Sequence, residues 1–238
     1  MIVALGLICL TLAAHAVSLW QAIDPTDGTR ISLGTTASLI GAVIAVAALF
    51  SSRRVSLRGV TAIMLVIAGL LALAGNLGDA GASAAGSYDR WYLYAHVVLS
   101  VVAYAMLSVA AVLAVLMSAK DRLIRSGTPG AFPSLMPPLE TMDTALFGAI
   151  GVGVAALALS IFSGMIFVDN LFAQHLVHKT TLTLLSLVVF GTLLAGRWRF
   201  GWRGRKAVKL TLWGFATLLL AYFGSRVILE VVLERQWG

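Results

Sequence analysis

Apolar runs alternate with short polar connections along the whole chain, and the runs have the length of a bilayer crossing. They extend over Met1–Trp20, Ile31–Phe50, Val60–Leu77, Trp91–Ser118, about Thr144 to Val168, a run that ends at Gly196, and about Leu210 to Leu229. Each lies near the ~20 residues that a helix needs to span hydrocarbon, so the pattern predicts about seven transmembrane helices. Between them lie QAIDPTDGTR, a turn-rich loop with Pro25 and Gly28, then SSRRVSLR and GDAGASAAGSYDR. The longest connection, KDRLIRSGTPGAFPSLMPPLETMD, carries prolines that argue against a continuous helix. VDNLFAQHLVHK and RWRFGWRGRKAVK complete the set. The first run has no basic n-region and no small-residue cleavage site, and is read as a retained helix. Gly148, Gly151, Gly153 and Gly164 in the fifth run suit close helix packing, and Tyr88, Trp91, Tyr92 and Tyr94 form an aromatic belt at the mouth of the fourth.

Composition agrees. Of 238 residues, 60% are hydrophobic and 11% charged, and the mean hydropathy is +0.96. A soluble domain of this length could not hide so much apolar surface. The single cysteine, Cys9, excludes an intramolecular disulfide, a CxxC redox pair and a CxxCH haem attachment site. The formal charge of +7 raises the question of nucleic acid, but the basic residues are confined to short loops against the membrane, so no nucleic-acid partner is expected. Arg53, Arg54, Arg58, Lys120, Arg122, Arg125, Arg197, Arg199, Arg203, Arg205, Lys206 and Lys209 fall on one side, twelve of the 17 basic residues. The positive-inside rule makes that side cytoplasmic. The expected fold is an all-α, polytopic transmembrane helix bundle, a single integral membrane domain over 1–238, with the N-terminus cytoplasmic and the C-terminus external.

With that orientation all four histidines fall toward the outer face. His96, Ser100 and Tyr104 stand at i, i+4 and i+8 and share one helix face. His175 and His178 stand at i, i+3. Imidazole ligates iron well, and paired axial histidines suit a haem (heme); zinc lacks its usual cysteine or carboxylate companions here. Each residue also has a plainer reading. His175 and His178 can meet water and headgroups. His15 can make a helix-to-helix hydrogen bond, and His96 can bond a neighbouring carbonyl or hydroxyl. Arg226, one turn before Glu230, can receive a haem propionate or form an interfacial salt bridge. The basic loop around GWRGR can serve topology and lipid-headgroup contact. No phosphate-cradling glycine loop, serine nucleophile elbow or HExxH motif is present, and no catalytic residue is expected.

HVVLSVVAYAMLSVAAVLAVL, MPPLETMD, FSGMIFVDNLF, GWRGRKAV and LLAYFGSRVI occur in that order. Together they resemble the YpjD and HemX branch of the cytochrome c assembly (CcsA-type) membrane proteins, most strongly over 91–233. The resemblance implies a haem-handling bundle of the bacterial inner membrane. His96 occupies the position of an external haem ligand that precedes an xxxSxxxY helix. His15 or His178 is the expected second axial ligand, with His175, Tyr104 and Arg226 as further candidate binding residues. The tryptophan-rich WWD segment of the synthases is replaced by FVDNLFAQHLVHKTT, and their second external histidine by GSRVILEVVLERQWG. The expectation is therefore haem binding or transfer without cytochrome c synthase activity, with the lipid bilayer, haem and a haem-accepting or regulatory protein as partners. Members of the branch have one more N-terminal helix, so this chain is expected to begin one helix later. The competing expectation is a non-haem scaffold or regulator that acts through its cytoplasmic basic loops.

Overall fold

In the computed structural model, residues 6, 9–17, 23–24, 28–31, 33–52, 57–75, 83–84, 90–127, 136–167 and 177–224 are described. Among them are seven helices: α1 (residues 9–17), α2 (Leu33–Ser52), α3 (Arg58–Gly75), α4 (Arg90–Arg125), α5 (Leu139–Phe167), α6 (Val177–Phe200) and α7 (Gly204–Gly224). The last turn of α7, Leu220–Gly224, is a π-turn. Four helical stretches are long and apolar enough to cross a membrane: Gly34–Ser52, Ala95–Arg125, Leu139–Met165 and Lys179–Phe200. The apolar part of α3, Gly59–Ala74, is shorter. This is a multi-pass helical membrane protein. Large apolar side chains such as Val66, Leu70, Phe162 and Val188 point outward, as they do where the solvent is lipid.

The chain divides into two compact units, Met1–Leu93 with Ser134–Pro138 and Gly238, and Tyr94–Pro133 with Leu139–Trp237. In the first, α2 packs along α3. Small buried residues, Ala45 and Ala48 on α2 and Ala68 and Ala72 on α3, allow the backbones to approach. Ser51 and Ser52 end α2 by turning their hydroxyls back onto the carbonyls of Ala47 and Leu49. Three short strands also pair, which the apolar pattern did not predict. Ile23–Asp24 (β1) runs antiparallel to Gly28–Ile31 (β2), with Ile23 opposite Thr29, and β2 pairs with Ser83–Ala84 (β3).

The second unit contains α4 to α7. α4 has 36 residues, about 54 Å at 1.5 Å per residue, well beyond the ~30 Å hydrocarbon thickness. The polar connection expected after Ser118 is therefore partly helix. Lys-Asp-Arg-Leu-Ile-Arg are compatible with a helix, Asp121 pairs with Arg125 one turn on, and the helix stops only at Gly127, whose φ is +63°. α5 starts at Leu139, before the expected Thr144, directly after Pro137 and Pro138 and with Glu140 in its first turn.

The sharpest difference lies between α6 and α7. The expected linker RWRFGWRGRKAVK contributes only residues 201–203 outside helix. Gly201 ends α6 in the left-handed region (φ +65°), donating its N–H to Arg197 O at 3.1 Å. Gly204 (φ +59°) opens α7. Trp202 then seats its indole in the notch at Gly196, where any Cβ would collide with the ring. Lys206 Nζ lies 3.4 Å over the same ring. Trp198 and Phe200 remain exposed at this end, and suit the membrane–water boundary.

Candidate functional site

The face predicted for α4 exists, and its partners come from α5 and α7. His96 Nδ1 lies 3.0 Å from the carbonyl oxygen of Ser160 and 3.0 Å from Ser163 Oγ, both on α5. Ser163 Oγ itself donates to Ser160 O at 2.8 Å, so its lone pairs remain to accept. The arrangement is satisfied when Nδ1 carries the proton and donates to both oxygens. The neutral ring then presents an unprotonated Nε2, which has no hydrogen-bond partner among the described residues. Gly164 makes room for the ring: a Cβ there would lie 3.2 Å from His96 Cε1.

One turn on, Ser100 Oγ and Ser160 Oγ share a 2.6 Å hydrogen bond. A further turn on, Tyr104 donates its hydroxyl to Leu218 O of α7 at 3.2 Å, and its ring meets Tyr222 at 5.7 Å between centroids. Lys179 Nζ stands 5.5 Å over the Tyr222 ring. Tyr104 is thus a strut between α4 and α7 whose proton is committed. The chemically open atom of this face is His96 Nε2.

His15 belongs to the first unit and is buried, 1% exposed. Its Nδ1 shares a 2.9 Å hydrogen bond with Ser38 Oγ of α2, a helix-to-helix link. Its Nε2 is buried without a hydrogen-bond partner among the described residues; the Ala68 backbone of α3 lies beside the ring but does not reach hydrogen-bond geometry with Nε2. Gly41 packs against the ring so closely that its Cβ would lie 2.9 Å from Nε2. His178 lies in the first turn of α6. His175 and Arg226 lie outside the described residues. Among the described residues, no three His, Cys, Asp or Glu side chains gather to hold a metal ion.

Sequence reading missed the α5 half of the site. Ser160, Ser163 and Gly164 sit in SIFSGMIF, in a run read only as apolar and glycine-rich; serines recurring at three-residue spacing were the available signal. It also missed the ion pair between Arg197 Nη1 and Asp143 Oδ2, 2.9 Å apart, which joins α6 to α5. An aspartate at the head of an apolar run and an arginine at the tail of the next were its signal.

The model of the cytochrome C assembly protein family matches residues 5–233. The inner membrane protein YpjD of Escherichia coli K12 is 34% identical over 137 residues, 58% of this chain and 52% of YpjD. A 28.8 kDa protein of Azospirillum brasilense is 31% identical over 140 residues, with the same coverage. The cytochrome c biogenesis protein CcsA of a Picosynechococcus strain is 26% identical over 103 residues, 42% of this chain and 30% of CcsA. The chain spans about half the length of the first two of these curated relatives. No solved structure matches it. The match across nearly the whole chain places this multi-pass membrane protein in the cytochrome c assembly protein family.

Proposed function

We propose that this protein binds haem at the inner membrane through His96 and handles it without joining it to cytochrome c. The observation that carries this reading is the His96 ring itself. Iron-ligating histidines characteristically donate one ring N–H to a carbonyl or carboxylate, which fixes the tautomer and leaves the other nitrogen for the metal. His96 Nδ1 faces the Ser160 carbonyl in that way, with Nε2 open. When bound, haem would supply a redox-active iron that an imidazole can hold. Ser160, Ser163 and Gly164 orient the ring, and Tyr104 holds α4 against α7. His178, at the start of α6, would be the second residue to hold the group. His15, tied to Ser38 and sealed by Gly41, acts as a helix clamp. The distribution of basic residues among the loops supports an external position for His96.

Absorption spectra of detergent-purified protein, titrated with haem, test this. Wild type is expected to develop a Soret band that His96→Ala loses or shifts and His15→Ala retains. No band above detergent background in wild type would overturn the reading. The absent WWD segment and second external histidine carry the non-enzymatic part: in a bacterial strain lacking its cytochrome c synthase, expression of this chain is expected to leave covalently haem-stained cytochrome c undetectable. A second reading, a scaffold or regulator acting through the basic loops, is favoured by the ordered charge ties at that end, such as Arg205 Nε to Asp121 Oδ2 at 3.1 Å. It is distinguished by a phenotype that survives His96→Ala.

A further inference from the structure

At the end of the second unit remote from His96, three helix ends surround a cavity of about 720 Å³. The last turns of α4, the first turn of α5 and the first turns of α7 line it. Five cations border it, Arg122, Arg125, Arg203, Arg205 and Lys209, against three carboxylates. Two of those carboxylates are paired, Asp121 with cations of the lining itself, and Glu140 makes no ion pair among the described residues. Asp121 holds Arg125 and Arg205, and Asp143 holds Arg197. Arg122, Arg203 and Lys209 make no ion pair among the described residues. Five cations against three carboxylates leave positive charge in surplus around the cavity.

The backbone adds to it. Arg203, at the N-cap of α7, has extended dihedrals and makes no side-chain cap, and the first turn holds no acidic residue. Gly204 and Arg205 of that uncapped turn border the cavity. Free amides at a helix N-terminus beside guanidinium and ammonium groups favour a phosphate. Met117, Leu139, Val208 and Leu212 give the cavity an apolar wall, beside Ser118, Glu140 and Asp143. A site that pairs phosphate donors with an apolar wall, at the ends of helices long enough to cross a bilayer, matches an amphiphile better than a free ion.

We propose that this cavity binds the phosphate of an anionic phospholipid, with Arg122, Arg203 and Lys209 as its principal partners. Native mass spectrometry of the full chain in detergent, titrated separately with phosphatidylglycerol and phosphatidylcholine, tests it. Phosphatidylglycerol is expected to be retained at markedly lower concentration. Arg203→Gln/Lys209→Gln is expected to weaken that retention by roughly tenfold, and Arg122→Gln, reaching the cavity from another helix, to weaken it less. Arg199→Gln serves as control, an exposed arginine outside the cavity lining, and is expected to leave retention unchanged. Equal retention of the two lipids, or equal loss in the control, would overturn the proposal. Displacement of the lipid by inorganic phosphate at matching concentration would also overturn it, by making the ligand a soluble phosphate.

Discussion

Replacing Arg197 with methionine is expected to destabilise the second unit by about 3 kcal/mol, the lower end of the cost of breaking a buried ion pair from one side, because Arg197 itself is partly exposed. The carboxylate it would strand is the reason. Asp143 is 6% exposed, its Oδ2 is held by Arg197 Nη1 at 2.9 Å, and its Oδ1 has no partner among the described residues. Arg197 has other support, lying 4.4 Å from the centre of the Phe147 ring and donating to Trp202 O at 3.3 Å. Asp143 therefore depends on Arg197 more than Arg197 depends on Asp143. Thermal unfolding in detergent measures the loss. Combining Arg197→Met with Asp143→Leu is expected to recover most of it, because an apolar pair of similar volume carries no desolvation cost. Equal stability of Arg197→Met and wild type would show that the pair contributes nothing.

Gly153→Val is expected to cost about 3 kcal/mol, the upper part of the range for overpacking. A Cβ at Gly153 would stand 2.7 Å from Cγ and 2.8 Å from Cδ2 of Leu107, and 3.4 Å from its backbone nitrogen. Leu107 is fully buried on α4, so a change of its rotamer alone cannot relieve the clash. The gain in helix propensity over glycine is a few tenths of a kcal/mol and does not offset this. Gly148→Val, on the same helix where a Cβ meets nothing within 4 Å, is the control and is expected to be neutral. Leu107→Ala should rescue part of the Gly153→Val loss while costing stability by itself. Equal melting shifts at positions 148 and 153 would sink the packing argument.

That contrast also marks a limit of sequence reading. Four glycines in α5 look alike in the chain, and all suit close packing. Only Gly153 and Gly164 have neighbours that need the space, Leu107 and His96, whereas Gly148 and Gly151 face open surroundings. Which glycine is indispensable depends on helix rotation, and a nearly uniform apolar helix does not encode its own rotation.

The sequence by itself determined that the chain is a multi-pass helical membrane protein, because apolar run length against hydrocarbon thickness is a one-dimensional quantity. It likewise determined that His96, Ser100 and Tyr104 share a face, since helical periodicity fixes neighbours on one element. It anticipated the family from ordered motifs. Tertiary structure alone decided what those side chains meet. The Ser160 carbonyl that fixes the His96 tautomer is a backbone atom 64 residues away. Arg197 finds Asp143 across a helix pair, and Gly201 and Gly204 compress an expected basic loop into a three-residue turn locked by Trp202. The first two are pairings between elements, set by how the helices rotate and pack, the third is a local turn set by backbone conformation, and hydrophobic periodicity along a single helix carries no record of any of them.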